Sequence, residues 1–181
     1  SLRVHDNPLF DSEYVQDFDR IVPVYVLPKD LSATQYGVAR MSAHRLQFTL
    51  EALADLQERL LELGSGLHVL CGQPENVLPQ LAEETRASVL VYEESVTSQE
   101  KIAESKTLDA SGLQPQAVWM NTLFHIDDLP FAPHQMPDVY TSFRKQVEKN
   151  CSLRDEVLTP ESLPPLPDTL TINPLPTLSD Y

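Results

Sequence analysis

An open parallel α/β sheet of the Rossmann-like kind, with helices on both faces, is what this sequence predicts, and three observations predict it. Short runs rich in β-branched and aromatic residues alternate with segments of helical period, and strands that alternate with helices pair in parallel through right-handed crossovers. The clearest helical segment, about Ala43 to Leu63, keeps leucine on one face. From Ser152 onward prolines are frequent and periodicity stops, so residues 1–150 carry the α/β domain and residues 151–181 read as a Pro-rich linker or an extended wrap around it.

Asn7-Pro8 opens the first helix, because asparagine caps and proline at the first helical position loses no needed hydrogen bond; that helix is expected to run to about Asp17. Ile21 to Leu27 (IVPVYVL) is a buried strand, with Pro23 near its start, where a missing donor is tolerable. Pro28 to Ala43 reads as a loop. In the long helix Leu46, Leu50, Leu53, Leu56 or Gln57, and Leu60 trace one face and Gly64 ends it. Leu67 to Cys71 is a short strand. Pro74 to Arg86 is helical despite Pro79; a proline deep in a helix costs about 3 kcal/mol, a cost avoided if Asn76 is the N-cap and Pro79 falls in the first turn. Ser88 to Glu93 (SVLVYE) is a strand, Ser98 to Ala110 a polar, acidic helix, and Gln116 to Asn121 the last strand. Thr122 to Phe131 leaves the core extended and ends in a turn, with Asp127 and Asp128 as turn formers and Pro130 forcing Leu129 out of the helical region. Asp138 then caps a short amphipathic helix with Val139, Phe143 and Val147 on one face and Arg144, Lys145, Glu148 and Lys149 on the other.

Thirteen basic against 27 acidic residues give a net charge of −14, which argues against an unaided nucleic-acid surface. No apolar run approaches bilayer length and no signal peptide is visible, so a soluble intracellular chain is expected, with no compartment assigned. Cys71 and Cys151 match no metal or redox spacing and read as one buried thiol and one linker thiol. His5 and Asp6 beside the first helix read either as a phosphate contact or as a capped turn. His125, Asp127 and Asp128 match no standard metal site and read as a turn. The five glycines form no phosphate loop. Trp119 reads as a core or interface aromatic.

Four motifs then point to one family. DDLPF at Asp127 to Phe131, with PDVYTSFRKQVE from Pro137, closely resembles the end of the N-terminal α/β domain of DASH-type cryptochromes in the photolyase/cryptochrome family. LRVHDNPLF at Leu2 to Phe10 resembles that family's Asp-Leu-Arg-x-x-Asp-Asn opening without its leading Asp. LPPLP at Leu163 to Pro167 and LPTL at Leu175 to Leu178 resemble the linker to the flavin domain.

The resemblance implies a five-stranded sheet whose central, first strand lies just before the Arg-x-x-Asp-Asn turn. Here the sequence opens inside that turn, so this strand is expected to be missing, with the first two remaining strands on one side of the gap and the last two on the other. The resemblance also implies blue-light electron transfer from reduced flavin, for repair of cyclobutane pyrimidine dimers or for signalling. FAD and DNA are reached only through a C-terminal flavin-binding helical domain, so this chain alone is not expected to be catalytic.

In folate-carrying members the loop after the SVLVYE strand offers a polar residue and then a glutamate to methenyltetrahydrofolate. Those positions fall on Ser98 and Gln99, with glutamine in place of the glutamate. Ligands of open parallel sheets bind outside the carboxyl ends of the strands, which is where this loop lies. The other reading is a helix cap without ligand, in which Thr97 or Ser98 caps and Glu100 favours the dipole, so that the chain is a chromophore-free, photolyase-like interaction module.

Overall fold

The computed structural model describes residues 2–30, 34–35, 37–39 and 41–181. In chain order the elements are α1 (Ser12–Val15), β1 (Val24–Leu27), β2 (Thr34–Gln35), β3 (Val38–Ala39), α2 (Ala43–Glu62), β4 (His68–Cys71), α3 (Pro74–Thr85), β5 (Val89–Glu93), α4 (Ser98–Ser111), β6 (Gln114–Val118) and α5 (Tyr140–Asn150). β1 pairs in parallel with β4, from Val24↔His68 to Leu27↔Cys71. β5 pairs in parallel with β6, from Val89↔Gln114 to Glu93↔Val118. Among the described residues no ladder joins the two parallel pairs.

The first half holds the main core. Leu46, Leu53, Leu56 and Leu60 of α2 turn inward onto Leu27, Leu67 and Val69, and Val4 and Val15 close the cluster. Ser42 caps α2 by accepting the Arg45 N–H at 3.3 Å. The segment after Cys151 is a wrap, because it takes part in this core. Leu163 is only 5% exposed, and its N–H donates to the Leu63 carbonyl at 2.8 Å. The Ile21 N–H donates to the Pro165 carbonyl at 3.3 Å. A Cβ on Gly66 would meet Ile172 Cδ1 at 2.6 Å and Leu166 Cδ1 at 2.9 Å, so the strap lies directly on that glycine.

Several expectations are corrected. The first helix is a 3₁₀ turn (Pro8–Phe10) followed by α1, because Asp11 is extended (φ −57°, ψ 126°) and interrupts it. β1 begins at Val24, although the Pro23 carbonyl still accepts the His68 N–H at 2.8 Å. The loop before α2 contains the antiparallel β2–β3 pair. Gln73, not Asn76, is the N-cap of α3, and Pro79 lies inside the helix. Pro74 supplies the preset first-turn φ, and burial of Leu78, Leu81 and Ala82 holds the helix together across the lost hydrogen bond. The last strand is Gln114–Val118 rather than 116–121. Gly112, left-handed at φ +65°, turns the chain at once into register with β5, and Pro115 is tolerated on an outer edge. Val139, not Asp138, is the N-cap of α5 without a side-chain bond; Val139 is 64% exposed, which leaves Phe143 and Val147 facing inward. Cys71 is exposed rather than buried, since it ends β4.

Candidate functional site

The loop between β5 and α4 leaves the carboxyl end of β5 and is tied down on three sides. The Glu94 N–H donates to the Val118 carbonyl at 2.9 Å, which carries the ladder one residue past β5. The Asn121 side-chain amide donates to the Glu94 carbonyl at 2.6 Å. The Ser95 N–H donates to Glu104 Oε2 at 2.8 Å, which folds the loop onto the third turn of α4. Burial pushes the Tyr92 phenol up, and the Glu104 and Glu94 carboxylates push it further the same way.

Thr97 caps α4. Its Oγ1 accepts the Glu100 N–H at 3.4 Å and donates to Glu100 Oε2 at 2.7 Å, so the cap and the acidic first turn support each other. Ser98 and Gln99 follow as the first two residues of the helix, adjacent and exposed. The structure thus places both predicted residues on one helical turn beyond the strand end, and it realises the capping arrangement as well. The side-chain cap is made by Thr97 and Glu100. Trp119 is half-buried beside this loop, and its indole N–H donates to Thr122 Oγ1 at 2.8 Å.

The other candidates resolve into structural roles. Arg3 pairs with Asp6 at 3.3 Å, and Asp6, left-handed at φ 49°, binds the strap: its N–H donates to the Val157 carbonyl at 2.9 Å and its Oδ1 accepts the Val157 N–H at 3.3 Å. Asn7 is buried and satisfied, accepting the Leu9 N–H at 3.1 Å and donating to the Arg3 carbonyl at 2.7 Å. His125 Nδ1 accepts the Asp127 N–H at 3.2 Å, as the turn reading requires. Asp128 is gripped by Arg154 through two bonds of 2.6 and 2.9 Å, and that hydrogen-bonded guanidinium holds its carboxyl below the ordinary range. Sequence reasoning missed Arg154; a partner 26 residues away leaves no local pattern. Among the described residues no cluster of His, Cys, Asp and Glu can hold a metal ion, and no helix is long and apolar enough to cross a membrane.

Comparison with known proteins matches the family described as DNA photolyase to residues 1–167. The DASH cryptochrome of Gloeobacter violaceus is 36% identical over 170 residues, covering 92% of this chain and 34% of its own length. That of Xenopus laevis is 35% identical over 187 residues, covering 99% of this chain and 36% of its own. The solved cryptochrome of Synechocystis sp. PCC6803 superimposes with a TM-score of 0.88 at 31% identity, over 100% of this chain and 38% of that one. The chain therefore spans about a third of the length of the curated relatives it matches. With the family match running over nearly the whole chain and the alternation of strands and helices in its expected place, the chain belongs to the DNA photolyase family, as an N-terminal α/β domain similar to that of the DASH cryptochromes.

Proposed function

We propose that this chain is the antenna-type domain of a blue-light flavoprotein of the DASH kind, and that the loop after β5 receives methenyltetrahydrofolate at Ser98 and Gln99. The observation that carries the reading is placement: both residues are exposed on the first turn of α4, just outside the carboxyl end of β5 in a parallel pair. When bound, the folate absorbs light and passes the energy to flavin. The chain's own part is to hold and orient it. The Ser98 hydroxyl can donate or accept, and the Gln99 carbonyl can accept from the pterin ring. The fit is incomplete at one atom. A carboxylate would accept twice from the ring's amino and N–H groups, whereas the glutamine amide sets one donor against a donor. One unpaired buried polar group costs about 1–3 kcal/mol, or roughly ten- to hundredfold in affinity.

FAD and DNA belong, on this reading, to a C-terminal helical domain outside the present sequence, and the relatives' greater length supports that. The net charge of −14 agrees with DNA being held elsewhere. The rival reading, a chromophore-free interaction module, draws its support from the amide of Gln99 and from a loop already closed by Thr97, Glu100 and Glu104.

Folate titration followed by near-ultraviolet absorbance separates the two. The isolated chain is expected to bind weakly, and Gln99→Glu in a protein that also carries the flavin domain is expected to tighten binding ten- to hundredfold. Unchanged affinity in that variant, or tight binding by the isolated chain, would remove Gln99 from the site.

A further inference from the structure

One peptide group in the loop after β5 is held at both ends. Its carbonyl, that of Glu94, accepts the Asn121 side-chain amide at 2.6 Å. Its N–H, that of Ser95, donates to Glu104 Oε2 at 2.8 Å. The peptide group on the other side of the Glu94 Cα is held as well, since the Glu94 N–H donates to the Val118 carbonyl at 2.9 Å. With the planes on both sides of one Cα fixed, the two soft dihedrals of Glu94 are fixed too.

The two clamping side chains come from different places in the chain: Asn121 follows β6, and Glu104 lies within α4. Their bonds act in one sense. A donor at the oxygen and a carboxylate at the N–H polarise the same amide in the same direction, and the bond to the carboxylate is charge-assisted. Glu104 is half-buried, and its charge also helps to push the Tyr92 phenol up. From the clamped group only Val96 and Thr97 lead to α4. The orientation of that group therefore sets the line on which the helix, with Ser98 and Gln99 in its first turn, leaves the sheet. α4 has almost no apolar face that would fix the same line by packing.

We propose that Asn121 and Glu104 are positioning residues for the ligand of this loop, acting together through the Glu94–Ser95 peptide group. The role rests on the reading of Ser98 and Gln99 as the residues that receive folate. A loop already held in its bound course loses less freedom on binding, so the clamp tightens binding. Because the two side chains hold one group, they act as a unit. Loss of either frees the peptide to rotate, and loss of the second adds little.

Two readouts test the clamp, one without ligand and one with it. In this chain, amide exchange at Ser95 is expected to quicken about tenfold in Asn121→Ala and in Glu104→Ala, while Leu90 and the β6 amides hold steady. In the protein that also carries the flavin domain, methenyltetrahydrofolate is titrated and followed by near-ultraviolet absorbance. Each alanine variant is expected to raise Kd about tenfold, and the double variant about tenfold as well rather than about a hundredfold. Glu104→Gln keeps an acceptor for the Ser95 N–H and is expected to stay within about threefold of the unsubstituted protein. Unchanged Ser95 exchange, unchanged affinity in either alanine variant, independent losses that multiply in the double variant, or no rescue by Glu104→Gln overturns the proposal while leaving Ser98 and Gln99 in the site. No binding by the unsubstituted protein removes the folate reading itself, and the positioning role with it.

Discussion

The two halves of this domain share a strand direction and a helix-on-sheet design, yet they are held together to different degrees. In the half built from β1, α2 and β4, Leu27, Leu53 and Leu60 are fully buried, and the strap adds Leu163. In the half built from α3, β5, α4 and β6, burial is confined to Leu78, Leu81, Ala82 and Thr107, and β5 is half-exposed along its whole length. The cause is legible in the helices. α2 repeats leucine on one face, whereas α4 (SQEKIAESKTLDAS) has almost no apolar face, and its Ile102 is exposed. Binding loops are drawn from low-stability regions of a fold, and the half that carries Ser98 and Gln99, the residues proposed to receive a ligand, is the looser one.

The largest effect that could break this comparison is a core truncation in each half. Leu60→Ala is expected to cost about 2–5 kcal/mol, the range for a fully buried leucine; Val91→Ala is expected to cost well under half as much. Urea denaturation measures both, and equal costs would erase the distinction. Leu163→Ala comes next, at about 2–3 kcal/mol, with increased exchange confined to β1, α2 and β4. If the second half loosened equally, the strap would be clamping the whole domain rather than one side of it.

An apolar strand of about five residues fused ahead of Ser1 sharpens the comparison from the other side. It is expected to raise the melting temperature by several degrees and to protect β1 and β5, the strands whose Val24, Val26, Val89 and Val91 point away from their present partners, more than β4 and β6. A calorimetric trace unchanged by the fusion would show that the halves already behave as one sheet.

The smallest effect concerns the Asp128–Arg154 pair. Both side chains reach solvent, so the pair contributes little, and its sign is fixed by direction. The folded-state carboxyl lies below its unfolded value. Its contribution is therefore present above an unfolded pKa of about 3.9 and is lost as pH falls through the lower folded value. Asp128→Asn is expected to lower the melting temperature slightly at neutral pH and to flatten the acid limb of the stability profile below about pH 4. An acid limb identical in both proteins would place the strap's anchor elsewhere, for example at Asp6 and Val157.

Much of the first half was readable from sequence because its information is local and periodic: the α2 leucine face, the Asn7 cap and the β-branched runs each act within a few residues. The parallel pairing of the strands followed from their alternation with helices. What escaped depends on contacts distant in sequence. Pro79 sits inside α3 because Leu78, Leu81 and Ala82 bury around it. β6 starts at Gln114 because its partner's register demands it. Arg154 finds Asp128, and Leu163 finds Leu63, across separations that leave no pattern in the chain. At the candidate site the positions of Ser98 and Gln99 were legible, while the closure of the loop by Asn121 and Glu104 was not.

Amide exchange of both halves in one sample, with and without methenyltetrahydrofolate at millimolar concentration, tests most directly the claim that the loosely held half is the ligand-bearing half. Without ligand, Leu90 and Tyr92 of β5 are expected to exchange through an opening of lower free energy than that of Leu53 and Leu60 in α2. With ligand, slowing is expected across β5 and the first turn of α4, and α2 and β4 are expected to stay as they were. A single opening energy shared by both halves, with folate leaving residues 89–100 unchanged or slowing the two halves alike, would contradict it.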